Sequence, residues 1–581
     1  MEEGNIEEKR ESWGSRVSFL LACIGYAVGL GNIWRFPYNV YKSGGGAFLV
    51  PYFIMLFLCG IPLLLMEMAV GQYTRRGPIG ALDKLCPILK GAGVGTVIIS
   101  FFLSTYYNVI LSWTLFYLGA SFHDPLPWIG CDNDWNTENC FDLENATISS
   151  NDSVASTQEY FDHHVLKMSD GITSAGSLRV ELFLLLIAAW VMVYLCLWRG
   201  VALTGKIVYL TACVPCFLLI AFAVRGLTLT GASKGLEFFF KPDWSRILEV
   251  KIWVNAASQV FNSIGIGFGS LIAFSSYNKF RGPVLRDTLI VTFVDAIVSI
   301  VCGIAVFSVL GNLAHEQGKD VKDVVTDGPG LVFVVFPHAL SQMPFPQLWS
   351  VIFFLMLLFL GIDSQFATVE VIITSIKDGC HGMEFKIRHE VLVLLVCLAS
   401  FICGIPHVFQ SGIYTFTIVD FYSATISLMF IALFETVAIV WCYGADRLGM
   451  NVKDMTGKAP SLFFSLCWKY VSPVLIFILW VFTLADYSTP TFNSGQYFFP
   501  TWCLAFGWII TSLSLVSIPL VAVLQVATAN GKSVLQKFVR AWKSRIDKCP
   551  CCNEKLDSNQ QAHTLYSNTQ SEESLALNLK A

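Results

Sequence analysis

Twelve long apolar runs divide the chain, near residues 17–39, 47–72, 92–122, 182–198, 205–226, 253–277, 287–312, 347–377, 389–409, 415–444, 461–486 and 499–528. A bilayer core of about 30 Å takes roughly 20 apolar residues to cross as a helix. The pattern therefore predicts an all-α polytopic membrane protein of about 12 transmembrane helices. Two runs interrupt their own pattern. Gly25-Tyr-Ala-Val-Gly-Leu-Gly-Asn-Ile-Trp-Arg-Phe-Pro37 places three glycines, an Asn, an Arg and a Pro inside the first run, and Ser263-Ile-Gly-Ile-Gly-Phe-Gly269 interrupts the sixth. In hydrocarbon a freed backbone N–H or C=O must find a partner, so broken helix is tolerated there only where it lines a cavity or binds something. Breaks in the first and sixth runs are where an internal repeat of five helices would put them, and paired breaks of this kind point to the binding site of a secondary transporter.

Composition agrees with the pattern. The chain is 55% hydrophobic and 14% charged, with a mean hydropathy of +0.60, which excludes an ordinary soluble protein. The net charge of −4 says little, but the placement of Lys and Arg orients the chain. Lys9, Arg10 and Arg16 precede the first run, Arg75 and Arg76 follow the second, and Lys279, Arg281 and Arg286 follow the sixth. Lys377, Lys386 and Arg388, then Arg447, Lys453 and Lys458, then the cluster from Lys532 to Lys548 continue the alternation. By the positive-inside rule these loops and both termini are expected in the cytosol. No cleavable signal peptide is evident at the start.

The chain is accordingly divided into a cytoplasmic N-terminal segment (1–16), a transporter domain (17–528) and a cytoplasmic C-terminal tail (529–581). The largest exterior loop, about 123–180, carries ten acids against Lys167 and Arg179. It holds the N-glycosylation sequons Asn145-Ala-Thr147 and Asn151-Asp-Ser153. Cys131 and Cys140 flank the same segment and are expected to form a local disulfide in an oxidising compartment. Asp162-His-His164 lacks further ligands at metal spacing and is read as solvated rather than as a zinc site.

The first-run motif, with Gly44-Gly-Gly-Ala-Phe-Leu49, Tyr106-Tyr-Asn108, Ser275-Ser-Tyr-Asn278 and Gly361-Ile-Asp-Ser-Gln-Phe366, resembles the neurotransmitter sodium symporter family over roughly residues 10 to 530. The resemblance implies two inverted five-helix repeats with broken first and sixth helices plus two further helices, in the plasma membrane. It implies sodium-coupled, chloride-assisted import of a small amino-acid-like molecule by alternating access, with two Na+ sites and a Cl− site near the midplane. By resemblance the first sodium site uses the Ala27 carbonyl with Asn32, Ser263 and Asp295. The second uses the carbonyls of Gly25, Val28 and Leu360 with Asp363 and Ser364. Chloride ligands would be Tyr52, Gln259, Ser263 and Ser299. Asp295 departs from the family, which usually has Asn there.

Family carriers of amines place an Asp where this chain has Gly29, whereas carriers of amino acids have Gly and let the substrate carboxylate approach the sodium. Tyr107 matches a residue that binds that carboxylate, and the amides of Leu30 and Gly31 at the break would help hold an anion. Leu103, Asn262, Gly265, Phe268, Ser364, Gln365 and Thr368 occupy positions expected to face the substrate. Asn262 stands where the family usually has an aromatic lid. Gln365 and Thr368 resemble carriers of γ-aminobutyrate, while Gly265-Ile-Gly-Phe-Gly269 resembles amine carriers, so the expectation is a neutral amino acid or a γ-aminobutyrate-like carboxylate. Arg35 with Asp420 matches the family's outer gate pair and Arg10 with Asp378 the inner pair, with Trp13, Ser276 and Tyr277 nearby.

Other classes fit less well. A monoamine carrier of the same family, a non-transporting relative and a channel remain the alternatives. No Ser-His, His-Glu-x-x-His or paired catalytic Asp arrangement suggests an enzyme, and no nucleic-acid partner is expected. Substrate and lipid bilayer are the expected partners.

Overall fold

The computed structural model describes residues 10–141, 154–318, 320–323, 331–379, 387–492, 495 and 497–546. The sequons at Asn145 and Asn151, and most of the C-terminal tail, lie outside the described residues. Among those described, ten helices are long and apolar enough to cross a membrane: Gly46–Thr74, Pro87–Ala120, Val180–Leu197, Val201–Leu227, Val284–His315, Pro346–Gly379, His389–Val408, Ser427–Thr456, Leu462–Ala485 and Thr501–Thr528. Arg16–Ala27 and Gly31–Lys42, bent by 42° at the break between them, make an eleventh. The sixth apolar run is a helix of 15 residues, Val250–Ile264, and one of 6, Ser270–Ser275, neither long enough to cross alone. The shortfall from twelve uninterrupted helices comes from the glycines that separate those halves. The spans are numbered below in chain order from the first, Arg16–Lys42, to the twelfth, Thr501–Thr528, with the broken run as the sixth and Gly412–Phe421 leading into the tenth.

Backbone chemistry explains both interruptions. In the sixth span Gly265, Gly267 and Gly269 have φ of 80°, 82° and 72°, a left-handed region costly for any residue with a Cβ. The amides and carbonyls released there are taken up by neighbouring spans. Glu67 of the second span accepts the Gly267 N–H at 2.7 Å, and Ser100 of the third donates to the Phe268 carbonyl at 2.9 Å. In the first span the helical ladder ends at Ala27, and Gly31–Arg35 resumes as a wide turn before Pro37 opens the next helical segment.

Among the described residues strand is confined to loops: Cys140–Phe141 beside Val154–Ala155 and Thr491–Phe492 beside Tyr497–Phe498. The disulfide Cys131–Cys140 is present. Its loop is tied down by Glu159, whose carboxylate accepts from the Thr137 N–H at 2.9 Å and from Asn136 Nδ2 at 3.1 Å. Of the two histidines read as solvated, His163 is exposed and His164 is half-buried. His164 packs 4.1 Å from the Trp135 ring centroid and stacks at 5.0 Å on Tyr160. Burial is the main cause that lowers the His164 pKa, and burial raises the neighbouring Asp162 carboxyl to about 6. No group of three metal-ligating side chains occurs among the described residues.

Candidate functional site

The break in the first span meets the eighth span, and the sixth-span break meets the first span where the Tyr26 ring lies over Gly265. Gly25 and Gly29 of the first span face the eighth so closely that a Cβ on Gly25 would lie 2.3 Å from Asp363 Oδ2, and one on Gly29 would lie 2.5 Å from Ser364 Oγ. The missing Cβ of glycine makes room for this approach. Ser364 Oγ donates to the Leu360 carbonyl at 3.3 Å and reaches the Tyr26 carbonyl at 3.5 Å. Asp363, 3% exposed, has its Oδ1 held by the Thr211 hydroxyl of the fifth span, while Oδ2 has no hydrogen-bond partner among the described residues. A buried carboxylate oxygen left unpaired is costly. Beside the carbonyl-bearing break around Gly25 and Val28, it forms the oxygen set that a hard cation takes. The residues present therefore fit a cation there.

A second polar cluster joins the first, sixth and seventh spans. Asp295 Oδ1 accepts from Asn32 Nδ2 at 2.8 Å and from Ser263 Oγ at 2.7 Å, and Ser263 also lies 2.9 Å from Asn32 Oδ1. All three side chains are buried, and Asp295 Oδ2 is unpaired among the described residues. Next to them Tyr52 Oη, Gln259 Nε2 and Ser299 Oγ make no hydrogen bond of good geometry among the described residues. The Tyr52 hydroxyl faces both Ser299 and Asp295. These free groups can all donate. A carboxylate beside a set of donors suits an adjacent cation and anion pair, so the residues also fit an anion next to the cation cluster.

Tyr107 of the third span closes on the first-span break: its hydroxyl would lie 3.4 Å from a Gly29 Cβ and accepts the Leu30 N–H at 3.4 Å. A Cβ on Gly31 would meet nothing within 4 Å. No carboxylate projects from position 29 itself. The remaining positions are placed less uniformly. Leu103 is partly buried on the third span and Phe268 fully buried at the sixth-span break. Gly265 is covered by the Tyr26 ring, whose atoms would lie 2.2 Å from a Cβ there. Asn262 turns back on its own helix and donates to the Ser258 carbonyl at 2.8 Å. Gln365 donates to the Ser104 carbonyl at 3.0 Å, and Thr368 donates to the Gln365 carbonyl at 2.9 Å, so both spend polar groups on the helices around them.

The two charge pairs differ. Arg10 binds Asp378 Oδ1 at 2.8 Å, Ser276 Oγ at 2.8 Å and the Arg75 carbonyl at 2.8 Å, and lies 4.8 Å over the Tyr277 ring. Trp13 donates to the Phe274 carbonyl at 2.9 Å, and the Gly77 amide donates to Asp378 Oδ2 at 2.6 Å. These contacts tie the N-terminal segment to the sixth and eighth spans. In the other pair, Arg35 and Asp420 both neighbour Tyr106, but no ion pair joins them among the described residues.

Three contributors escape a reading of the sequence: Thr211 on Asp363, and Glu67 and Ser100 on the sixth-span break. Hydroxyls inside apolar runs usually bond to their own helix, so Thr211 and Ser100 give no signal. A lone Glu at membrane depth in the second run was the available signal for Glu67.

The sequence profile described as "SNF: Sodium:neurotransmitter symporter family" matches residues 10–529. Similar curated proteins include the "Sodium- and chloride-dependent GABA transporter ine" of Drosophila melanogaster, 47% identical over 95% of this chain; the chain spans 59% of that relative's length. The "Sodium- and chloride-dependent GABA transporter 2" of Rattus norvegicus is 40% identical over 91% of this chain and 88% of its own. The "Sodium- and chloride-dependent taurine transporter" of Bos taurus is 40% identical over 90% of this chain and 86% of its own.

Proposed function

The chain belongs to the sodium:neurotransmitter symporter family, whose members are transporters and not enzymes, and on that premise we propose that it imports a small zwitterion bearing an acidic group, driven by sodium and assisted by chloride. The observation that carries this reading is that position 29 bears no side chain, and so no carboxylate, where the hydroxyls of Ser364 and Tyr107 close on the first-span break. An acidic substrate group can there approach a sodium held by Asn32, Ser263, Asp295 and the Ala27 carbonyl. The second sodium would be held by Asp363, Ser364 and the carbonyls of Gly25, Val28 and Leu360. Relatives named as GABA and taurine carriers support a substrate of that class, and the absence of an acid at position 29 argues against a monoamine. The ion-paired Arg10–Asp378 face and the unpaired Arg35–Asp420 face support an outward-facing state in a plasma-membrane carrier with both termini cytosolic.

A panel of labelled γ-aminobutyrate, taurine, leucine and dopamine, offered to cells expressing the chain, tests the proposal. Uptake of at least one acidic zwitterion, lost when sodium is replaced by choline, is the expected result. Uptake of dopamine alone, or uptake indifferent to sodium, overturns it.

Thr211 is expected to orient Asp363 for sodium. A hydrogen bond to a charged group is worth about 1.5–3 kcal/mol, so Thr211→Val should raise the sodium concentration for half-maximal uptake by about tenfold or more. A sodium titration of uptake reads this directly, and an unshifted curve at equal surface level would remove Thr211 from the site.

Asp295 bears on chloride. Ionised beside a sodium, it supplies fixed negative charge where Tyr52, Gln259, Ser263 and Ser299 would hold chloride, and two like charges so close repel. Uptake is expected to keep a substantial fraction of its rate when chloride is replaced by gluconate, and Asp295→Asn should make the remaining transport strongly chloride-dependent. Identical strict dependence in both proteins would contradict the fixed-charge account.

A further inference from the structure

The twelfth span ends at Thr528, and after Ala529–Ser533 the chain enters a further helix, Val534–Trp542, capped by Ser533, whose hydroxyl accepts the Gln536 N–H at 3.2 Å. At about 100° per residue, Val534, Leu535, Phe538, Val539 and Trp542 fall within one arc of roughly 140°. Their exposures are 76%, 73%, 42%, 56% and 43%. Gln536, Lys537, Arg540 and Lys543 lie on the opposite side.

The polar side holds the helix to the protein. Lys537 donates to the Ala527 carbonyl at 3.3 Å and Arg540 to the Asn530 carbonyl at 2.8 Å, closing the end of the twelfth span. Just beyond, Arg545 binds Asp83 at 2.6 Å, and its amide donates to the Lys84 carbonyl at 2.9 Å. The helix is thus pinned at the membrane edge with its apolar arc turned away from the protein.

What covers that arc follows from its position. The last turns of the twelfth span already present Leu520, Val523 and Leu524 at 55%, 66% and 52% exposure, an apolar surface suited to acyl chains in a membrane-spanning helix. The apolar arc begins a short loop beyond it. A helix with one apolar face and basic flanks, fixed at this depth, has the form of one lying in the interface plane. The charge around it is positive: Lys532, Lys537, Arg540, Lys543 and Arg545 in sequence, on the same face of the molecule as Lys84.

We propose that Val534–Trp542 is an interfacial helix, seated with its apolar arc among acyl chains at the head-group boundary, and that its basic flank makes this seat selective for anionic phospholipid. Juxtamembrane Lys and Arg attract an anionic leaflet, and salt screens that attraction. The helix would thereby couple lipid charge to the contact that Arg545 makes with Asp83.

Hydrogen–deuterium exchange of the full chain, in nanodiscs of phosphatidylcholine alone or with added phosphatidylserine, tests this. Amides of Val534–Trp542 should exchange more slowly in the phosphatidylserine discs, by about fivefold for each basic residue engaged, and high salt should erase the difference. Joint Leu535→Glu and Phe538→Glu substitution should remove the protection in both discs, whereas joint Lys532→Gln and Lys543→Gln should remove only the phosphatidylserine increment. Unchanged exchange across the twelfth span in each variant certifies the fold. Equal exchange in the two discs overturns the proposal, as does protection that survives the glutamate pair. Protection that appears only on adding an acidic protein such as calcium-loaded calmodulin also overturns it, and assigns the arc to a protein partner.

Discussion

Gly29→Asp is expected to abolish uptake of every acidic zwitterion the protein carries, with the variant present at the cell surface at normal level. Two effects combine. A Cβ at this position would lie 2.5 Å from Ser364 Oγ and 3.4 Å from Tyr107 Oη, so the Ser364 side chain must give way. The added carboxylate then faces the acidic group of the substrate. Two like charges about 4 Å apart repel by about 4 kcal/mol at the effective dielectric of a partly hydrated site, close to a thousandfold in affinity. Gly29→Ala separates the terms, because it adds the contact without the charge, and the Ser364 hydroxyl is the end of a side chain that can turn. The alanine variant should transport with reduced affinity and the aspartate variant not at all. Initial rates of labelled uptake, normalised to surface biotinylation, check this, and equal activity of the two variants would refute the proposed orientation of the substrate.

The second large effect is expected at Asp363. Asp363→Asn keeps the size of the side chain and an oxygen that the Thr211 hydroxyl can still reach, but removes the charge. Losing a cation–carboxylate attraction of about 4 kcal/mol should leave uptake near background at physiological sodium. Some recovery is expected only at sodium far above it. A sodium-dependence curve of uptake gives the answer, with surface level again controlled. A half-saturating sodium concentration within about twofold of the parent would show that Asp363 holds the eighth span together without touching the ion.

The parts of this site visible in the sequence are those where residue type conflicts with hydrocarbon. Glycines and an Asn within the first apolar run, and glycines spaced by two in the sixth, announce broken helix, and both breaks are present, the sixth with the left-handed backbone that glycine permits. Asp363 and Asp295 stand out because a carboxylate at membrane depth is expensive. Cys131 and Cys140 are close in sequence, and their pairing is local.

What stayed hidden depends on which way a side chain turns. Thr211 and Ser100 look like any hydroxyl on an apolar helix, yet one reaches Asp363 and the other the Phe268 carbonyl. Asn262 and Gln365 occupy positions expected to face the substrate, but their amides bond to Ser258 and to the Ser104 carbonyl. Arg35 and Asp420 match a gate pair by sequence, while in this conformation Tyr106 stands beside both. Such choices are made by tertiary packing and by the state of the transport cycle, neither of which residue order encodes locally.

The central claim is that sodium bound at the two breaks drives an acidic zwitterion across the membrane. Purified protein in sealed proteoliposomes tests it most directly, with an inward sodium gradient and an inside-negative potential set by potassium and valinomycin. Moving one net charge through the membrane is worth about 2.3 kcal/mol per 100 mV. Labelled γ-aminobutyrate or taurine should accumulate above its external concentration, more so with the potential than without it, and leak back when the sodium gradient is collapsed. Equilibration without accumulation, at the same rate in sodium and in choline, would contradict the account.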